Sequence, residues 1–196
     1  MEHLSGGAVP GVVPGVVIDL DDPKRLGRVK VTFPDLGDVP SDWCRIVTPS
    51  AGGGRGVLFR PEKGEEVMVC FERGDMRSAY VLGGVWNQTD KPPTDPDPVA
   101  NDIRSITSRS GHVITFDDTK GKEKIEIVAH GSKQKVVIDS AAPKITVSAE
   151  TGDVEVTAAE GDITLHGRTV NIKADQQLTL DCQGQVKVSD STIQLN

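Results

Sequence analysis

The sequence predicts an all-β protein, in which a small closed barrel is followed by an intertwined trimeric β-helix, a prism-like shaft. Three observations predict this class. Short β patterns alternate with Gly, Pro and Asp turns, helical periodicity is missing, and a pair of apolar residues recurs through the second half. Only 36% of the 196 residues are hydrophobic and 4% aromatic, so a thick conventional core is not expected.

A change of composition near residue 90 marks the domain boundary. Six of the seven aromatic residues precede it, and four prolines lie between residues 90 and 99. Such a Pro-rich stretch forms an extended, semi-rigid connector. We therefore expect a barrel over residues 1–89, a connector over 90–102 and the shaft over 103–196.

The first half contains six short runs with β character. Each run is bounded by Gly, Pro or Asp, and alternation is clearest from Arg28 to Phe33. This many short strands in roughly 80 residues favours a closed, OB-like barrel, because closure removes exposed sheet edges. The predicted strands cover residues 12–20, 27–33, 43–48, 56–60, 66–72 and 79–86.

The second half repeats one unit, two apolar residues separated by a single residue. From Ile145 onward the units follow each other at steps of 9, 9, 7, 8, 8 and 7 residues, with turn-forming residues between them. We predict nine short strands whose paired side chains form the shaft core and the trimer interface. These are Ile125, Ile127, Val136, Ile138, Ile145, Val147, Val154, Val156, Ile163, Leu165, Val170, Ile172, Leu178, Leu180, Val186, Val188, Ile193 and Leu195.

Strands this short predict a trimer. Two inward side chains bury little apolar surface, and the backbone edges of an isolated strand stay unpaired. The spacing also differs from the six-residue repeat of left-handed single-chain β-helices. Three parallel copies solve this problem. At each level every chain forms one side of a three-sided prism, and it then passes to the next side. The prediction places the backbone hydrogen bonds of the shaft mainly between chains.

Five stretches carry the pattern of a known family: residues 27–34, 54–67, 71–75 and 80–87 in the barrel, and 103–127 at the start of the shaft. Together they resemble the central spike proteins of contractile injection systems. These are phage baseplate assembly protein V and the equivalent portion of type VI secretion VgrG proteins. The resemblance implies a non-enzymatic, trimeric spike of a baseplate that transmits force to pierce a target envelope.

The resemblance also implies partners. Few residues precede the first strand, so a separate hub protein is expected at the barrel end. A PAAR-type tip protein is expected at the other end, on Ile193, Gln194, Leu195 and Asn196. The target membrane would be contacted only mechanically. We expect synthesis in the cytoplasm without a signal peptide, followed by assembly into a phage tail or injection particle.

Charge weighs against the main alternative, an OB-fold nucleic-acid-binding module with a β-solenoid tail. The formal net charge is −7, and no long basic cluster occurs, so nucleic acid is not an expected partner. The three cysteines are not spaced as in metal-binding motifs, and we expect them to be free thiols. A β-helical acyltransferase or polysaccharide lyase is a third possibility, which the eight-residue period and the missing acid/base constellation disfavour.

Four features of the sequence have residue types that also occur in chemical sites. The run 52–56 is glycine-rich but lacks the ending of a phosphate loop, and Asp19, Asp21 and Asp22 lack the calcium-loop pattern. His112, His130 and His166 are scattered, although a threefold ring of His166 around an axial ion stays open. Cys182 follows Leu180 by two positions and would extend the inner face. The sequence predicts no catalytic residues, no metal site and no cofactor.

Overall fold

A computed structural model describes residues 9–94 and 99–189. Over these residues the chain forms thirteen β-strands and no α-helix, so the predicted all-β class is confirmed. The first eight strands are β1 (Val12–Asp19), β2 (Lys30–Phe33), β3 (Val39–Pro40), β4 (Arg45–Ile46), β5 (Ala51–Gly52), β6 (Arg55–Gly56), β7 (Glu66–Phe71) and β8 (Ala79–Gly84). The last five are β9 (Ile103–Thr107), β10 (Val113–Asp117), β11 (Lys124–Val128), β12 (Gln134–Asp139) and β13 (Lys144–Ala149).

The N-terminal half is a closed barrel. Six strands pair in the order β3-β2-β1-β7-β8-β4. Val29, just before β2, then pairs with Cys44, just before β4, through backbone N···O distances of 3.1 and 2.7 Å. This bridge joins β2, on the edge that β3 also pairs with, to β4 at the other end of the order and leaves the barrel without a long free edge.

Alternation along the strands fills the barrel interior. In β7, Val67, Val69 and Phe71 point inward while the residues between them are only partly buried. Phe33 and Phe71 meet edge to face with ring centroids 5.3 Å apart. The core consists of Val17, Val29, Val31, Phe33, Cys44, Val67, Val69, Phe71, Ala79 and Val81.

One predicted barrel strand is wrong. Of residues 56–60, only Gly56 belongs to a strand, as the end of the two-residue β6, which pairs with β5. Val57 donates its backbone N–H to Ser50 O, and the Arg60 guanidinium then reaches back to the Leu20 carbonyl. Pro61 removes the next backbone donor, so the ladder cannot continue.

The second half begins with an antiparallel sheet formed within one chain. Its strands pair consecutively in the order β13-β12-β11-β10-β9. The prediction that every shaft strand pairs with other subunits is therefore wrong for Ile125, Ile127, Val136, Ile138, Ile145 and Val147, which lie on β11, β12 and β13. Gly121 and Gly131, at φ of +77° and +79°, let the chain reverse directly and pair with itself.

Intrachain pairing stops after β13. Within the described residues 151–189 there is no strand and no backbone–backbone hydrogen bond inside the chain. No helix among the described residues is long and apolar enough to cross a bilayer.

Candidate assembly interface

The β9–β13 sheet carries one apolar face, set by its register. Ile106, Ile114, Ile127, Val136 and Val147 are successive cross-strand neighbours and form one row. Phe116, Ile125, Ile138 and Ile145 form a second row on the same face. We call these nine residues the apolar sheet face. It contains all six predicted shaft residues that lie on strands, since side chains two positions apart share a face.

The apolar sheet face is uncovered in the single chain. Its exposed members range from 37% exposure for Ile114 to 71% for Ile145, while Ile125 and Val136 are half-buried. The seven exposed residues present roughly 700 Å² in total, backbone atoms included, when their exposed fractions are scaled to whole-residue reference areas. Monomeric soluble proteins rarely expose a contiguous apolar patch larger than this one. The exposure therefore marks this face as a surface for another molecule.

The opposite face of the sheet mixes charged residues with Val113, Val128 and Val137. It bears Asp117, Lys124 and Glu126, and the Lys124 Nζ atom lies 3.2 Å from a Glu126 carboxylate oxygen. The Thr119 hydroxyl, followed by the Thr119 backbone N–H at 3.0 Å, hydrogen-bonds to the Asp117 carboxylate and lowers the pKa of Asp117. The charged residues of this face can remain in water, whereas the apolar sheet face requires a cover.

The extended segment after β13 continues the apolar pattern without any cover. Its apolar residues range from 52% exposure for Val170 to 72% for Leu165. The backbone polar groups of residues 151–189 find no backbone partner within the chain. The predicted shaft residues in this segment are Val154, Val156, Ile163, Leu165, Val170, Ile172, Leu178, Leu180, Val186 and Val188.

The remaining predicted positions cannot be placed. Ile193 and Leu195 of the shaft, and the tip-binding set of Ile193, Gln194, Leu195 and Asn196, lie outside the described residues. Their roles stay predictions.

Asp22 has a structural role in the turn before β2. Its carboxylate is nearly buried and pairs with the Arg28 guanidinium through distances of 2.6 and 3.1 Å. It also accepts backbone N–H bonds from Lys24, Leu26 and Arg28. The Arg28 pair, helped by these N–H donors, holds the Asp22 pKa well below its usual range. These partners occupy the carboxylate, so it is not available to calcium.

The glycine-rich run is a tight hairpin and not an anion cradle. Residues 51–52 and 55–56 pair as β5 and β6. Gly56 has a φ of +143°, and a Cβ at this position would lie 2.4 Å from the Ser50 carbonyl oxygen. Glycine is therefore required there by backbone geometry alone.

The described histidines and cysteines form no metal-binding cluster, although the His112 and His130 rings meet edge to face with centroids 6.5 Å apart. His112 accepts the His130 backbone N–H at 3.0 Å, while His166 lies in the exposed segment. Among residues 9–94 and 99–189, no group of three or more His, Cys, Asp or Glu side chains could hold a metal ion. Burial raises the pKa of the Cys44 thiol, and Cys182 is exposed.

Sequence reasoning missed part of this surface. Ile114 and Phe116 form the same unit as the predicted pairs, two apolar residues around one polar residue, and Ile106 lies opposite Ile114. The sequence shows this unit at residues 114–116, so it could have been included in the repeat. It was left out because these residues lie in the stretch between the connector and the first predicted pair. The exposed Leu58 and Phe59 were missed because they were assigned to a strand.

Comparison with known proteins identifies the barrel. Residues 13–86 match the type VI secretion system/phage-baseplate injector OB domain. The type VI secretion system spike protein VgrG4b of Pseudomonas aeruginosa is 32% identical over 126 residues, 59% of this chain. The spike protein of Escherichia phage P2 is 27% identical over 103 residues, 53% of this chain. The actin cross-linking toxin VgrG1 of Vibrio cholerae serotype O1 is 30% identical over 112 residues.

These matches confirm the resemblance to contractile injection system spike proteins and the OB-like character of the barrel. The chain spans only part of each relative. The matched stretch covers 15% of VgrG4b, 44% of the phage P2 spike protein and 10% of the VgrG1 toxin.

Proposed function

We propose that this chain is a non-enzymatic, homotrimeric central spike of a contractile injection system, since residues 13–86 form an injector OB domain of the type VI secretion and phage-baseplate family. The barrel connects the spike to a hub, and the shaft carries the force of contraction to the tip. The target envelope is pierced mechanically. Relatives named as spike proteins support this role.

One observation carries the proposal. Residues 151–189 keep an apolar pair about every eight residues, yet their backbone groups have no backbone partner inside the chain. Unpaired backbone groups and exposed aliphatic side chains are both costly, so a segment of this kind is completed by further strands. Identical copies supply strands with the same spacing. The apolar pairs of equivalent strands can therefore pack against one another.

Three copies fit this segment better than one or two. Eight residues provide about four for a strand and four for a corner, enough for one side of a prism. Two more chains then complete each circuit, and the apolar residues face a common axis. The trimeric β-helix is thus proposed for the segment after β13, while the β9–β13 sheet lies above it as an intrachain element with its apolar face toward the same axis.

The partners follow from this arrangement. A hub protein binds at the barrel end, and a PAAR-type tip protein binds strand edges at the far end of the shaft. The protein is made in the cytoplasm and assembled into the baseplate. The alternative role in nucleic-acid binding lacks support, because three acidic chains would repel a phosphate backbone.

The test is the size of the protein in solution, with one substitution in the predicted core. Light scattering coupled to gel filtration should give a species three times the 20.9 kDa chain mass. Ile163→Asp would place three carboxylates around the axis, where burial of like charges is unfavourable, so trimers should not form.

Thr164→Asp is the matched control. Thr164 is the next residue along the chain and is predicted to face solvent, so this variant should remain trimeric. A monomeric wild-type protein would rule out the trimeric spike. Equal trimerisation of the two variants would show that the inward assignment is wrong.

A further inference from the structure

A short apolar loop on the barrel is held in place but not covered. Val57, Leu58 and Phe59 follow β6 with exposures of 39%, 79% and 65%. The Thr48 hydroxyl donates to the Val57 carbonyl at 2.6 Å, and the Arg60 guanidinium donates to the Leu20 carbonyl at 2.6 Å. The backbone is thus fixed on both sides of Leu58 and Phe59. We call residues 57–59 the barrel loop.

The barrel loop continues the apolar sheet face. Phe59 lines a cavity of about 550 Å³ together with Ile106, Ile114, Ile127, Val136 and Val147, the first row of that face. An ion pair holds the two regions together at this point, since Arg109 Nη1 of the β9–β10 turn lies 3.2 Å from Glu62 Oε1. One continuous apolar surface therefore runs from the barrel onto the sheet.

The combined area matches what a specific interface needs. Leu58 and Phe59 add roughly 300 Å² to the sheet face, for a total of about 1,000 Å² per chain. A standard interface takes about 800 Å² from each partner. The barrel loop therefore enlarges the apolar surface available for a contact between copies, in addition to the shaft residues after β13.

We propose that the barrel loop packs against a second copy of this chain, so that the trimer interface begins in the barrel and not at the sheet. This inference rests on the proposed trimeric spike. A second copy of the chain is favoured over a hub as the partner. Phe59 lines the same cavity as the first row of the apolar sheet face, and that face is proposed to be covered by the neighbouring subunits. Phe59 and Leu58 are the anchors of this contact.

Site-specific photo-crosslinking of the purified full chain tests the contact without any hub present. Phe59 is replaced by a benzophenone-bearing phenylalanine, and the trimer is irradiated and analysed on a denaturing gel. Cross-linked dimers and trimers are expected. The control places the same group at Trp86, which has 66% exposure but lines a different, polar cavity, so mainly monomer is expected there.

The outcomes separate the two proposals. A trimer by light scattering that cross-links no better from position 59 than from position 86 overturns the barrel contact and leaves the spike intact. A monomer by light scattering overturns both. As a second measurement, Phe59→Ser should lower the temperature at which trimers dissociate, whereas Trp86→Ser should leave it unchanged. Equal midpoints for the two variants would contradict the contact.

Discussion

At the scale of single residues, Asp22 illustrates how a polar group fixes the start of β2. The carboxylate accepts bonds from the Arg28 guanidinium and from three backbone N–H groups of the same turn. A carboxylate in this setting favours its charged form, which is why its pKa lies below the usual range. The turn thereby orients the strand that contributes Val29, Val31 and Phe33 to the barrel core.

Asp22→Asn should therefore destabilise the barrel, and the effect should depend on pH. The stabilisation by a carboxylate of lowered pKa is complete above its unfolded pKa of about 3.9 and is lost as the pH falls toward the folded value. Thermal unfolding should show a lower midpoint for the variant at pH 7, with the gap to wild type shrinking below about pH 4.

The neighbouring Asp21→Asn serves as the control for this prediction. Asp21 is exposed and has no ion pair among the described residues, so its replacement should change the midpoint little. A gap between wild type and Asp22→Asn that stays constant from pH 7 to pH 3 would contradict the role assigned to the Asp22 carboxylate.

At the scale of elements, the second half contains two kinds of strand. The β9–β13 sheet has its backbone bonds inside one chain, whereas the proposed strands after β13 obtain theirs only from other copies. A sheet of five strands with a complete ladder has local stability of its own, even with one face uncovered. An isolated extended segment has none.

Hydrogen exchange on the Ile163→Asp variant should separate these elements. In the monomer that it is expected to form, amides of β10 to β12 should exchange at least about tenfold more slowly than amides of residues 154–188. In the wild-type trimer both regions should be protected. Equal protection of both regions in a monomeric variant would show that the segment after β13 pairs within its own chain.

At the scale of the whole molecule, the proposed spike has three zones along one axis: the barrels, the intrachain sheets and the intertwined trimeric β-helix. The shaft would be stiff, because every level is paired above and below. The proposed tip protein would pair with strand edges at the end of the shaft opposite the barrel.

Removal of the last four residues, Ile193, Gln194, Leu195 and Asn196, tests this end of the molecule. The shortened chain should still form trimers, because eight predicted apolar pairs remain, but it should no longer retain a PAAR-type protein in a pull-down. A matched variant with Thr157→Asn, far from the end, should bind as wild type does. Undiminished binding by the shortened chain would place the tip contact elsewhere.

Local patterns were enough to place most of the barrel strands and to identify the paired apolar residues. Alternation in 66–72 and 27–33 predicted β7 and β2 because a strand buries every second residue, and the paired unit identified Ile127, Val136 and Val147 before any pairing was known. The barrel motifs likewise indicated the injector OB domain.

Strand pairing and the exposure of the apolar residues depend on contacts between distant parts of the chain. Residues 124–149 carry the same unit as residues 154–188, yet the first set closes hairpins through turns such as Gly131, and the second set does not. Apolar spacing fixes the face of a strand but not the identity of its neighbour, because backbone hydrogen bonds are the same for any partner. The exposure of Phe59 beside the apolar sheet face depends on the same long-range placement, which no local pattern encodes.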